Sequence, residues 1–170
     1  NGDSINNATL ITFSPWLCNP SGQIPIEYCE EEPEEPIAHW KFDEGSGDIA
    51  YDSSGNNNDG TLENGPQWVD GISGSALEFD GVDDYVKIDS DSAFNLTDVV
   101  ISVWINLDDN EKTNVIVDKI IGGNGYRFVV DSNSKLNFGI GFGTGTGSCE
   151  VDVVLEENTW YHVVGGYWDG

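Results

Sequence analysis

Positive charge is nearly missing from this sequence: six Lys and Arg stand against 31 Asp and Glu, giving a formal charge of −25 at pH 7. Such a field repels phosphate backbones and anionic lipid surfaces, so nucleic acid is excluded as a partner on charge alone. Methionine is absent and the first residue is Asn1, so the segment reads as mature or excised, any signal peptide already removed. Apolar runs are short, far below the roughly 20 residues that a spanning helix needs, and no membrane insertion is expected. Helical periodicity is missing throughout. Cysteines number three, and neither the CxxC nor the CxxxxC spacing of zinc sites occurs. Cys18 and Cys29 flank a loop containing Pro and Gly, which predicts a local disulfide in an oxidising compartment. Cys149 is then either a small buried hydrophobe or the partner of a cysteine in another segment or chain.

What is present is enough for a core: 38% hydrophobic and 11% aromatic residues in a chain of 170, room for one domain and an extension. Residues 1–29 carry the apolar run Leu10-Ile11-Thr12-Phe13, then turn formers and two cysteines; they read as an N-terminal extension or the end of a preceding domain. The run Glu30-Glu31-Glu32-Pro33-Glu34-Glu35-Pro36 is held open by like charges and denied regular pairing by proline, the composition of a stiff linker. From 37 to 170, short apolar runs alternate with Gly, Asn, Asp and Ser clusters, which predicts an all-β, two-layer antiparallel sandwich. Strands are expected at 38–43, 76–79, 85–88, 99–107, 114–119, 126–131, 135–142, 150–155 and 160–167. Leu136-Asn137-Phe138-Gly139-Ile140-Gly141-Phe142 alternates strictly and should lay one face on the core, its glycines admitting another backbone or a flat ligand. Val99-Val100-Ile101-Ser102-Val103-Trp104-Ile105 is apolar on nearly both faces, as a strand covered above and below would be.

Three motifs bear a family resemblance. Ala38-His39-Trp40-Lys41-Phe42-Asp43-Glu44-Gly45-Ser46-Gly47 with Asp52-Ser53-Ser54-Gly55-Asn56-Asn57-Asn58-Asp59-Gly60-Thr61-Leu62 resembles the opening of laminin-G-like jelly-roll domains. Gly74-Ser75-Ala76-Leu77-Glu78-Phe79-Asp80-Gly81-Val82-Asp83-Asp84-Tyr85-Val86 is similar to their central signature, and Thr159-Trp160-Tyr161-His162-Val163-Val164 to a later strand. The resemblance, which runs in order from 37 to 170, implies a concanavalin A-like jelly roll. It also implies further hairpins and a closing strand after Trp168-Asp169-Gly170. The expectation is therefore a fragment, or a sandwich completed from elsewhere, for instance by the 10–13 segment of a second copy.

For chemistry, related glucanases carry Glu-x-Asp-x-Glu on one strand, because alternate residues share a face and can flank a glycosidic bond. Here Glu150-Val151-Asp152-Val153-Val154 lacks the third acid, so Glu150 and Asp152 read as outward charges and no glycosidase is expected. His39 and His162, each beside aromatics, read as core or edge histidines. Gly143-Thr144-Gly145-Thr146-Gly147 lacks a phosphate-loop lysine, and no G-x-S-x-G occurs. Asp52, Asn56, Asn58 and Asp59 on one turn and Asp80, Asp83 and Asp84 on another offer hard oxygens at close spacing, and the resemblance implies structural calcium at such turns. The same residues also fill turns because they tolerate left-handed dihedrals. Trp68, Tyr126 and Trp168 are the candidate ligand-stacking aromatics, whereas Trp40, Trp104 and Trp160 should face the core. Asn7-Ala8-Thr9 and Asn95-Leu96-Thr97 match the N-glycosylation pattern. The resulting expectation is a secreted, non-catalytic adhesion module for glycan or extracellular protein. Its rival is a filament subunit assembled by strand exchange, and behind that an accessory domain of a larger hydrolase.

Overall fold

The computed structural model describes residues 3–11, 35–89, 92–96, 98–109, 112–121, 123–142 and 145–167. Cys18, Cys29, Trp168 and most of the acidic run lie outside these residues, as does the side chain of Asn7. The described residues are all-β, with thirteen strands and every pairing between them antiparallel.

A six-stranded sheet has the order β13 (Trp160–Tyr167), β8 (Val99–Asn106), β1 (Asp3–Ile11), β6 (Ser75–Phe79), β5 (Gln67–Asp70), with β2 (Ala38–Trp40) also bonded to β1. A four-stranded sheet runs β12 (Gly145–Val154), β11 (Lys135–Phe142), β10 (Asn124–Val130), β9 (Asn114–Ile121). Between them lies the main core: Val99, Ile101, Val103, Ile105 and Val163 from one layer meet Tyr126, Phe128, Val130 and Phe138 from the other. Phe128 and Phe138 pack edge to face at 5.7 Å, a geometry that adds to their area burial. Gly165 of β13 is part of that fit, since a Cβ there would stand 2.8 Å from Phe128.

A three-stranded sheet, β3 (Ile49–Ala50), β4 (Gly60–Glu63) and β7 (Tyr85–Ile88), forms a second cluster in which Phe42, Ala50 and Leu77 are buried beneath Trp40, Leu62, Trp68 and Val86. Trp40 borders both clusters, and its indole Nε1 donates to the Asn58 carbonyl at 2.8 Å. The indole thus joins the two cores.

Four expectations change. The strand of the extension spans Asp3–Ile11 rather than beginning at Leu10, and it lies inside the large sheet, bonded to β8 on one side and to β6 and β2 on the other. β8 is covered on one face only: Val99, Ile101, Val103 and Ile105 are buried while Val100, Ser102, Trp104 and Asn106 are half-buried on the other. Trp104 therefore faces away from the core, and Trp160, its neighbour across the register at Asn106, shares that outer face. Cys149 is exposed and unpaired, which removes the buried-hydrophobe reading. It sits opposite buried Phe138 on the inward face of β12, an edge strand of its sheet. The glycines of β11 do admit a backbone, and it is the chain's own: a Cβ on Gly141 would collide with the Gly123 carbonyl.

Candidate functional site

The two Asx-rich turns fold to different ends. In the turn between β6 and β7, Asp80 Oδ1 accepts from the backbone N–H of Val82 at 2.8 Å, Asp83 at 3.3 Å and Asp84 at 3.4 Å, while Asp80 N donates to Asp84 Oδ2 at 3.0 Å. The loop can close this tightly because Gly81 takes a φ of 69°, which costs glycine nothing sterically. Those N–H donors, Val82 first, hold the Asp80 carboxyl below the usual carboxylate range. One ligand oxygen from each of Asp80, Asp83 and Asp84 falls within 4.8 Å of the others. Asp80 Oδ2, Asp84 Oδ1 and the Asp83 carboxylate have no hydrogen-bonded partner among the described residues. The ammonium of Lys112 lies over the turn, 2.6 Å from where a Gly81 Cβ would stand, and also pairs with Asp109 at 3.7 Å. Three convergent carboxylates are a hard, oxygen-only donor set, the kind that suits calcium, which completes about six to eight ligands with carbonyls and water.

The 52–59 turn is wired inward instead, and the metal reading of Asp52, Asn56, Asn58 and Asp59 gives way to a structural one. Asp52 Oδ1 accepts from the N–H groups of His39 and Ser54 at 2.9 Å, and Oδ2 accepts from Ser54 Oγ at 2.8 Å and Asn58 N at 3.0 Å. Burial raises the Asp52 pKa, but those hydrogen bonds outweigh it and hold the carboxyl below its ordinary value. Asn56 Nδ2 donates to the carbonyls of Pro36 and Ile37, and buried Asn58 Nδ2 to Ile37 at 2.9 Å. Asp59 Oδ1 accepts from Asp52 N at 2.8 Å. Polar atoms that sequence proximity offered as ligands thus clamp the chain where it enters β2.

The stacking candidates fare unevenly. Tyr126 is 2% exposed in the main core, so it has no ring surface for a ligand; burial pushes its hydroxyl up to about 12. The expected strand at 126–131 is β10, which begins two residues earlier at Asn124 and turns the Tyr126 ring into the core. Trp68 stands on β5, half-buried against the second cluster, with Nε1 donating to the Gly47 carbonyl at 2.8 Å. Asn95 is exposed.

A group that sequence reasoning did not assemble lies on the outer face of β8 and β13. Ser102 Oγ and His162 Nε2 are hydrogen-bonded at 2.8 Å, and the Trp104 and His162 rings lie 5.2 Å apart at a 35° tilt. His162 is exposed on β13, the edge strand of its sheet, so of the two readings the edge one holds and the core one does not. Strict alternation from buried Ile101 would have placed Ser102, Trp104 and Asn106 together, but the apolar outer residues hid that period. A serine–histidine pair alone does not make a hydrolase, since among the described residues no carboxylate bonds His162 to orient it. Glu150, the other acid of interest, is exposed and paired with Lys135 at 3.2 Å.

A two-layer all-β sandwich defines a class of fold that hosts many functions, so its function has to be argued from its sites. A family model of the laminin-G kind, described as the concanavalin A-like lectin/glucanases superfamily, matches residues 80–170, more than half of the chain, and the chain belongs to that superfamily. The match opens at Asp80, so the 38–62 motifs lie outside it. Comparison with curated proteins and with solved structures finds no match.

Proposed function

We propose that this domain is a non-catalytic binding or adhesion module, displayed outside the cell, that recognises carbohydrate or extracellular protein and uses calcium bound by Asp80, Asp83 and Asp84 to fix its rim. The observation that carries the reading is the convergence of those three carboxylates within 4.8 Å on a turn whose backbone is already closed by Asp80. Bound calcium would supply charge neutralisation and a hard centre for ligand oxygens. The chain itself supplies a turn set before any ion arrives. Calorimetric titration with calcium tests it: saturable heat that vanishes in Asp83→Asn is expected, and no heat in the parent protein overturns the calcium part. A glycan and matrix-protein array, run with calcium and with chelator, tests the binding part. Saturable capture of one class is expected; silence on both overturns it.

Strand exchange is the second reading, and the interior position of β1 favours it, because the same edges of β8 and β6 would accept β1 from another copy. Against it stands mass action. Residues 12–37 connect β1 to β2, 26 in all, and a covalent connection that reaches holds its end at an effective concentration on the order of mM. A second copy at micromolar concentration loses to that. Light scattering across a concentration series separates the two, with 18.5 kDa expected for the closed monomer.

A further inference from the structure

We propose that the outer face of β8 and β13 is a second site, distinct from the Asp80 turn, that stacks a neutral glycan on Trp104 and Trp160. The proposal rests on the binding-module reading and names a ligand class and a surface for it.

Register fixes the layout. Trp160 lies opposite Asn106, His162 opposite Trp104, and Val164 opposite Ser102, so three rows of two residues share one face. With a rise of about 3.4 Å per residue, the rows from 160 to 164 cover roughly 14 Å along the strands, the length of a short oligosaccharide segment. Both indoles are half-buried rather than enclosed, although β8 has a full core face in Val99, Ile101, Val103 and Ile105. Two tryptophans on adjacent strands of an open face mark an interaction surface more than they serve the core.

The surrounding groups point to sugar. A pyranose presents an apolar C–H face and a ring of hydroxyls, so its site needs flat aromatic surface bordered by groups that both donate and accept. Ser102, Asn106 and His162 are such groups. The Ser102–His162 hydrogen bond and the tilted contact with Trp104 fix the imidazole in place before any ligand arrives, which lowers the ordering cost of binding.

Charge narrows the class. None of the six residues in these rows is Asp, Glu, Lys or Arg, and the flanking groups that sequence and register place beside them, Asp108 two residues beyond Asn106 and Glu78 two strands across through Ser4, are both acids. Among the described residues no Lys or Arg lies in these rows to receive a sulfate or uronate, and the net charge of −25 opposes one. The occupant is therefore an uncharged polysaccharide, not an acidic one.

Affinity gel electrophoresis tests this on the whole chain, with hydroxyethyl cellulose, soluble β-1,3-glucan and galactomannan as neutral probes and polygalacturonate and dextran sulfate as anionic ones. Retardation is expected in at least one neutral gel and in neither anionic gel. Trp104→Ala should weaken it roughly tenfold, and His162→Gln, which keeps the β13 backbone and most of its shape, roughly threefold to tenfold. Glu150→Gln, on the edge strand of the other sheet, should leave it unchanged. Melting curves of each variant separate loss of a site from loss of fold. Retardation that survives Trp104→Ala and His162→Gln but disappears in Asp83→Asn moves the glycan to the Asp80 turn and overturns this face while keeping the binding reading. No retardation in any neutral gel, or retardation only in anionic gels, overturns it outright. Saturable capture of a matrix protein in the same preparation would then show that the binding reading itself survives.

Discussion

The 52–59 turn and the 80–84 turn are both acidic and built around a glycine, yet one is a clamp and the other an open cluster. The difference lies in what passes beside them. Asp52 faces the incoming 36–40 segment and satisfies the His39 N–H, with Asn56 and Asn58 taking the Pro36 and Ile37 carbonyls. Among the described residues the Asp80 carboxylate accepts only from its own loop, so it closes on the next four residues and leaves the Asp83 carboxylate outside, while Asn64 Nδ2 reaches the Asp83 backbone carbonyl at 2.6 Å. An acidic turn becomes structural when another segment brings orphan backbone groups to it. Left alone, it caps itself and keeps carboxylate oxygens for a cation.

The largest test of this contrast is Asp52→Ala. It strands donors from His39, Ser54 and Asn58, and the expected loss is about 2–3 kcal/mol, tempered by the partial exposure of the turn. In calorimetry that corresponds to a melting temperature lower by roughly 5–10 °C for a chain of this size. Asp83→Asn measured in chelator should stay within about 0.5 kcal/mol of the parent. Equal losses in the two variants would dissolve the distinction between clamp and cluster. Calcium should act in the opposite sense, adding about 2.7 kcal/mol to the parent at a hundredfold excess over its dissociation constant. Asp59→Asn should retain that gain and Asp83→Asn should lose it.

Acid sharpens the comparison further. The Asp52 carboxyl is held below its ordinary 3.8, so its contribution is complete above that value and is lost as pH falls through the lower folded-state pKa. Burial first, then Lys41, lowers His39 below 6.5 against the pull of Asp52. A histidine with a depressed folded pKa favours its neutral form, so its contribution is complete above 6.5 and is also lost on acidification. Urea unfolding between pH 8 and 3 should therefore show stability falling in two stages. His39→Gln removes the earlier stage and Asp52→Asn the later one. A profile unchanged by either substitution would mean that the clamp is not where acid acts.

Much of the sandwich was readable from pattern, and the exceptions share a cause. β7, β11 and β13 fall where the alternation places them, at Tyr85–Ile88, Lys135–Phe142 and Trp160–Tyr167. β4 and β5, Gly-Thr-Leu-Glu and Gln-Trp-Val-Asp, are too short and polar to signal a strand, and the second cluster beneath them forms only because Leu62 and Trp68 meet Leu77 from elsewhere in the chain. At the site level, the Asp80 cluster is local and therefore legible. The fate of Asp52 depends on a segment 13 residues away, and the pairing of Ser102 with His162 spans 60. Neither is visible in local composition. Hydrophobicity alone argues Trp104 inward, but the period of two set by its buried neighbours Val103 and Ile105 turns it outward.

Lys112 gives the smallest and most discriminating effect. Its ammonium lies over Gly81 and helps to lower the Asp80 pKa, so in the absence of an ion it is the local countercharge for three carboxylates. Calcium binding at Asp80, Asp83 and Asp84 must displace or repel it. Lys112→Ala should then raise calcium affinity by roughly twofold to fivefold, the size of a solvent-screened charge interaction, with the gain shrinking as salt is raised because the repulsion acts through water. The 52–59 turn offers a matched control: its carboxylate answers backbone N–H groups rather than a lysine, so the same substitution should leave the Asp52 stage of the acid profile unchanged. A fall in calcium affinity on removing Lys112 would mean that the lysine builds the turn instead of competing for it, and the open cluster would then be a second clamp.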